Sequence, residues 1–376
     1  MENTENSTEH TDLIIVGAGI IGLAHAVEAR RRGLSVRILD RDARAVGASV
    51  RNFGHACITA QGGPEQQMAQ ESRRGWLAAA AEIGFWAPEA GAVVVACTPA
   101  EMAVLEEFRD DRGEEASRLL TAEDVRARLG GATRDVVGGA FLPADLRVDP
   151  RTTAGRIAAW LETQQEVALH WSTPVTGAAD GVVSTPEAEY TAEQVIVCVG
   201  HDIDRLYPSI ARTWQIVRCA LQMASTDPLP GFELDAAVLT GTSMLRYDGL
   251  AAMPSAGRVR GDLEARSPEL LEMVANVMLT RRPDGSVLVG DSHVYDETTA
   301  PFLDEGVSQR LLEEIAGLLG VTALPVRQRW QGVYASSALT NVVAERPDAR
   351  TLVTSVTSGI GMTLGFGLAR RTLDSL

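Results

Sequence analysis

The chain has 376 residues, 45% of them hydrophobic, enough to bury one large core or two joined ones, so two domains are expected. Its formal charge of −16 excludes the basic surface that binding to nucleic acid or an anionic membrane requires. All 34 basic residues are arginine; without lysine, a lysine Schiff base and the phosphate-gripping lysine of a P-loop are both excluded.

The head, residues 1–12, is polar and acidic, lacks the cationic and apolar regions of a signal peptide, and reads as a frayed tail. Residues 13–16 read as a buried parallel strand running into Gly17-Ala18-Gly19-Ile20-Ile21-Gly22. In such a turn Gly17 permits the tight bend, Gly19 lets the backbone approach a pyrophosphate, and Gly22 lets the next helix pack closely. That helix aims its N-terminal N–H groups at the phosphates. A second strand, 35–39, ends at Asp40, near the spacing at which an acid holds an adenosine ribose. Together these elements predict a dinucleotide site. Asp40 favours a free 2′-hydroxyl over NADP; the motif does not separate FAD from NAD.

Residues 41–63 form a long glycine-punctuated stretch without strand period, and such segments inside compact domains are usually functional. Residues 65–86 predict an amphipathic helix, 92–97 a short strand, and a further helix starts near Pro99. Residues 121–129 predict a helix with Thr121 as N-cap and Asp124 in its first turn. A short strand over 138–143 and a helix from Asp149, with Pro150 in its first turn, follow. The apolar run 193–200 predicts a strand in the middle of a parallel sheet. Strands are predicted at 216–224 and 286–290, and helices at 268–279 and 307–319. A strand at 351–356 leads into a second glycine-rich turn, 357–363, and a last helix, which returns the chain to the nucleotide domain.

No apolar run reaches the length of a membrane span. Cys57, Cys97, Cys198 and Cys219 follow no CxxC or Cys/His spacing, so they read as reduced, mostly buried thiols of a cytoplasmic protein. The scattered histidines and cysteines predict no metal site.

The opening fingerprint, GASVRNFG at 47–54, VIVCVG at 195–200 and TSGIGMTLGFGLA at 357–369 carry a family likeness. On them, the chain resembles the FAD-dependent D-amino-acid oxidase, glycine oxidase and sarcosine oxidase superfamily over essentially its whole length. GASVRNFGHA, VRCALQM, LRY, VGDSHVY, RWQGVY and SGIGMTLGFGLA further resemble a bacterial subgroup associated with aminophosphonate metabolism. The resemblance implies an α/β fold: a Rossmann-like FAD-binding domain from 1–85, 145–205 and 331–376, with an inserted mixed-sheet α+β substrate domain from 86–144 and 206–330. It implies a pyrophosphate over Gly17, Gly19, Ile20 and Gly22, and a ribose at Asp40 and Arg41. Ser49, Arg51 and Asn52 match a segment lining pyrophosphate and flavin, and Val175 a position meeting adenine. Gly200 belongs to the same set, as do Gly359, Ile360, Gly361, Met362 and Thr363 at the pyrimidine edge of the flavin.

Two departures matter. Relatives that attach FAD covalently carry a cysteine shortly before the terminal motif, where this chain has RWQGVY, so non-covalent FAD is expected. Several relatives place a lysine over the flavin to assist oxygen. Here an arginine or histidine supplies that charge, or oxygen is not the natural acceptor.

Hydride transfer from an amine needs a desolvated, neutral nitrogen and a cation clamping the acidic group. An arginine fork suits a carboxylate or phosphonate, and the candidates are Arg218, Arg246 and Arg329, with Trp330 as an aromatic wall. His55, His293, Tyr247 and Tyr334 are the candidates nearest the chemistry. His10, His25, His170 and His201 read as structural. The expected reaction is oxidation of a small anionic amine to an imine that hydrolyses to a carbonyl, with O2 as acceptor. The alternatives are a flavin dehydrogenase using a quinone or carrier protein, or acting on a hydroxy acid, and a non-catalytic flavin sensor. Substrate identity and homo-oligomerisation stay open.

Overall fold

The computed structural model describes residues 11–130 and 135–376. The head through residue 10, with His10, lies outside these residues. Two sheets organise the chain. The first has eight strands, six of them in the order Val342–Asp348, Thr351–Val356, Glu189–Val197, Thr11–Val16, Val36–Leu39, Val167–His170. From Thr351–Val356 to Val167–His170 all pairings are parallel. Thr11–Val16 reads LIIV because both of its faces are covered. Leu13 and Ile15 pack with the helices Ile20–Arg31, Gly63–Ile83, Pro150–Glu162 and Gly361–Asp374, whereas Ile14 and Val16 join Val195, Val197 and Ile203 on the other face. The predicted central strand at 193–200 sits where expected, with parallel neighbours on both sides.

The second sheet has nine strands and mixed direction. Its hub is Val217–Thr226, which pairs antiparallel with Val287–Gly290, Val294–Asp296 and the long strand Val326–Ser336. Ala237–Leu239 runs parallel to Ala92–Ala96, and Gly138–Leu142 and Arg118–Thr121 complete the far edge. Thr121 and Asp124 form the predicted capping box on Ala122–Arg128, and Asp149 caps Pro150–Glu162.

The helix expected over 268–279 stops after Glu272. Val274 takes φ +46, and Asn276 exchanges backbone hydrogen bonds of 2.8 and 2.9 Å with Asp291. These draw Met278–Arg281 into the sheet beside Val287–Gly290, where strand pairing overrides the helical pattern. The boundary expected at residue 331 falls inside Val326–Ser336, a single strand paired along its length with Val217–Thr226.

Two features join the sheets. Ser336 bridges Ser358, tying the long strand to the turn after Thr351–Val356. Arg147 is fully buried, and its guanidinium donates to the carbonyls of Phe53, Gly54, Asp235 and Arg281. Burial brings its pKa down to about 9. Among the described residues no helix is long and apolar enough to cross a membrane.

Candidate active site

A cavity of about 1010 Å³ is lined by residues from both sheets, from Gly17 and Asp40 at one part to Arg246, Asp291 and Tyr334 at another. At the glycine turn, Gly17 takes φ +105, and a Cβ there would lie 2.6 Å from the Cys198 carbonyl. A Cβ on Gly22 would come within 1.9 Å of the Gly17 oxygen, so helix Ile20–Arg31 packs on the turn only because this residue has no side chain. Ser49 Oγ accepts the Ile20 N–H at 2.8 Å, and the Asp40 carboxylate accepts Ala18 N–H at 2.6 Å and Asp42 N–H at 2.9 Å. Burial raises the Asp40 carboxyl, and those two N–H groups pull it back. Arg41 pairs with Asp202 at 2.6 Å; Val175 and Gly200 line the same cavity.

The terminal turn lines the cavity through 359–362. Helix Gly361–Asp374 starts here without a side-chain cap, so its positive end is available to an anionic group. Trp76 Nε1 donates to Met362 O at 2.7 Å, and Thr363 Oγ1 accepts Cys57 N–H at 3.0 Å, which fixes the turn from behind. Arg51 and Asn52 hold the 46–54 loop by bonds to Val46, Gln331, Ala48 and Ser49 carbonyls.

Arg246 Nη2 donates to Tyr334 Oη at 2.8 Å and to Ser358 O at 3.2 Å. Neither partner is acidic, so the cation keeps an open fork in the cavity, within the field of the Asp291 carboxyl. Gly359, at φ +76, lies behind this pair: a Cβ there would stand 2.9 Å from the Tyr334 ring and 3.3 Å from Arg246 Nη2. His293 Nδ1 donates to Val274 O at 2.7 Å, leaving Nε2 as an acceptor. Burial, then Arg246, lower its pKa to about 3, so the ring is neutral. Tyr295 stacks on it at 6.3 Å and Tyr334 meets it edge-on at 6.4 Å. Burial raises the Tyr247 and Tyr334 hydroxyls well above their ordinary value, so both are neutral phenols.

His55 Nε2 and Asp145 Oδ2 lie 2.8 Å apart, both buried. Asp145 Oδ1 accepts Ile58 N–H, Thr59 N–H and the Thr59 hydroxyl. His55 therefore donates from Nε2, its Nδ1 has no partner, and the residue lines the cavity. Cys57 completes a buried trio with ligand atoms within 4.8 Å of one another. Because His55 and Asp145 bond to each other and Asp145 accepts three further donors, the geometry is that of a hydrogen-bonded cluster.

The structure thus gathers Gly17, Gly19, Ile20, Asp40, Arg41, Ser49, Arg51, Asn52, Val175, Gly200 and 359–362 around the same cavity as His55, Arg246, Tyr247, His293 and Tyr334. Gly22 and Thr363 stand one layer behind. Three candidates are not brought there. Arg218 pairs with Asp204 at 2.6 and 3.0 Å and approaches Asp202 at 3.5 Å. Arg329 is exposed and pairs with Glu305 at 2.9 Å. Trp330 stacks under Arg151 at 4.5 Å and donates to Arg51 O. Sequence reasoning passed over Asp145, Asn276 and Asp291. Asp291 stands two residues before His293 in GDSH, and an acid so close to a singled-out histidine was the available signal.

A sequence profile of the family described as FAD dependent oxidoreductase matches residues 12–375. No curated protein sequence matches the chain. Among solved structures, glycine oxidase from Bacillus cereus ATCC 14579 superposes with a TM-score of 0.79 at 17% identity, covering 97% of this chain and 94% of that one. L-amino acid deaminase from Proteus vulgaris gives 0.76 at 17% identity, covering 100% and 95%. Iminodiacetate oxidase from Chelativorans sp. BNC1 gives 0.75 at 18% identity, covering 95% and 93%. At these identities the likeness establishes the fold.

Proposed function

The chain belongs to the FAD dependent oxidoreductase family, and from that premise we propose that it oxidises a small anionic amine to an imine that hydrolyses to a carbonyl compound. The amine is an amino acid or aminophosphonate, with or without an N-methyl group. Bound FAD supplies the acceptor for a hydride from the carbon bearing the nitrogen. The cofactor fits this chain's residues: two helix N-termini, one without a side-chain cap and one with only its Ile20 N–H taken by Ser49, border a cavity of about 1010 Å³ with glycines and Asp40 on its wall. Gly17, Gly19, Ile20 and Ser49 would hold the pyrophosphate, with Gly22 letting the helix pack behind them, Asp40 and Arg41 the ribose, and Val175 and Gly200 the adenosine side. Arg51, Asn52 and the 359–363 turn would hold the flavin. No cysteine lies in the RWQGVY segment, so the cofactor is non-covalent. The eight-stranded sheet carries this half of the site and the nine-stranded sheet the substrate wall.

One observation carries the substrate class: Arg246 reaches the cavity with both of its bonds made through Nη2 and neither to an acid. Nη1 and Nε carry none among the described residues, which leaves a fork for a carboxylate or phosphonate. Leu221, Met278 and Val217 on the same wall exclude water from the carbon that reacts. His55 lines the same cavity, and Tyr334 keeps Arg246 in orientation. Neighbouring structures include a glycine oxidase, an L-amino acid deaminase and an iminodiacetate oxidase by name, which supports an amine bearing an acid. The absence of lysine supports a second acceptor assignment, a quinone or carrier protein in place of O2.

The test is anaerobic bleaching of the purified flavoprotein by glycine, sarcosine, D-amino acids, 2-aminoethylphosphonate and its N-methyl form. A strong responder identifies the substrate class, and peroxide formation in air separates oxidase from dehydrogenase. A colourless protein that stays so after FAD reconstitution, or a flavin that no amine bleaches, refutes the proposal.

A further inference from the structure

Arg246 is not the only charged group at the substrate wall. Asp291 lines the same cavity, is 4% exposed, and its Oδ1 has no hydrogen-bond partner. A buried carboxyl oxygen left without a donor is costly unless a ligand provides one. The backbone holds this residue firmly: Asn276 and Asp291 exchange both N–H···O bonds, and His293 Nε2 stands 3.8 Å from Oδ2. The groups facing Asp291 are Arg246 and Tyr247 from the 241–251 segment, Cys219 from the hub strand, Asn276, and His293 and Tyr295 from its own segment, with Tyr334 of the long strand lining the same cavity. Only Arg246 among them is charged near neutral pH.

We propose that Asp291 binds the amino group of the substrate and takes its proton, so that Arg246 and Asp291 together select a molecule carrying both an acid and an amine. The inference rests on the reading of an anionic amine held by Arg246. An ammonium group supplies the donor that Oδ1 lacks. In the transfer, one N–H bond breaks, its electron pair stays on nitrogen, and an O–H bond forms on the carboxylate. The site then holds Arg246 against the substrate's acid, with a neutral amine beside a neutral carboxyl, and no uncompensated charge is created. Burial raises Asp291 to about 7, against the pull of Arg246 and Asn276, which suits a group that must accept a proton and release it again.

The test uses the FAD-bound protein and two pairs of probes that cannot lose a hydride. These are 2-aminoisobutyrate against 2-methylpropanoate, and 2-amino-2-methylpropylphosphonate against 2-methylpropylphosphonate, titrated by calorimetry and flavin absorbance. The wild type is expected to prefer the amine member of at least one pair by about tenfold or more above pH 7, the effect of one charge-assisted hydrogen bond. That preference is expected to vanish as pH falls through about 7, while the probe stays an ammonium and His293 stays neutral. Asp291→Asn is expected to bind both members of the pair alike. A preference that survives in Asp291→Asn, or that is flat with pH in the wild type, overturns the role of Asp291 and leaves the anion clamp standing. Equal binding of both members by the wild type does the same. Should Asp291→Asn fail to retain FAD, the wild-type pH series decides alone. If the wild type binds no member of either pair, the anionic-amine reading fails and takes this inference with it.

Discussion

Asp145 is the acceptor on which the wall behind His55 depends, and its removal gives a number that can be worked from the hydrogen bonds. Its two oxygens accept from His55 Nε2, Ile58 N–H, Thr59 N–H and the Thr59 hydroxyl, all in a fully buried setting. In Asp145→Ala the hydroxyl can rotate to another acceptor, but three N–H donors cannot, and at ~1–3 kcal/mol each the cost comes to ~3–9 kcal/mol. Against a total stability of ~5–15 kcal/mol, that variant is expected to be barely folded. Asp145→Asn keeps a carbonyl for the two backbone donors and the hydroxyl, and forces His55 into its other tautomer, with Nε2 now accepting from the new amide. Its expected cost is ~1–2 kcal/mol, the difference between charged and neutral acceptors. Urea unfolding of the FAD-bound proteins, followed by tryptophan fluorescence and by flavin release, separates the two variants. Equal destabilisation by Ala and Asn, or a cost below ~1 kcal/mol for Ala, would falsify the account of this cluster.

Gly359→Ala places a methyl 2.9 Å from the Tyr334 ring at φ +76, so Arg246 must shift; in the fraction that retains FAD, KM for the amine is expected to rise about tenfold, and an unaltered KM counts against the clamp. His25, buried in the first helix, has its pKa lowered by burial to about 4, so the unfolded chain takes up a proton near pH 6.5 that the folded chain refuses. Stability is therefore lost as pH falls from 6.5 towards 4, at ~1.4 kcal/mol per unit from this group, and His25→Gln is expected to flatten the profile by ~2–3 kcal/mol in urea titrations at pH 7 and 4.5. Acid precipitation of the holoprotein is expected to leave all flavin in the supernatant; a yellow pellet would show a covalent link.

The strand–turn–helix at the start, the capped helices at Thr121 and Asp149, and the returning strand at 351–356 were legible because each rests on neighbours in sequence. Gly17 and Gly22 announce themselves by spacing, and the clashes a Cβ would make there are local. Arg246 could not be told from Arg218 and Arg329 in this way. What separates them is that Asp204 and Glu305 neutralise the other two, and those partners lie 14 and 24 residues away. Asp291 was hidden for a related reason. Its position opposite Arg246 follows from the pairing of Val287–Gly290 with both Val217–Thr226 and Met278–Arg281, and the first two residues of the last of these read as the end of a helix. Backbone pairing over long separations is what a pattern of residue types fails to record.

The place of Thr351–Val356 between Glu189–Val197 and Val342–Asp348 has a consequence for how the protein is made. During synthesis, the apolar end of Glu189–Val197, Val195 to Val197, keeps an open edge until Thr351–Val353 have been made, and the turn at 359–362 that closes the cavity emerges later still. A nascent or prematurely terminated chain therefore carries a sticky, unfinished sheet and no complete cofactor site. The whole cofactor site can therefore form only after residue 362 has been made, and a chain that stops before Thr351 is expected to aggregate rather than to lose activity by degrees.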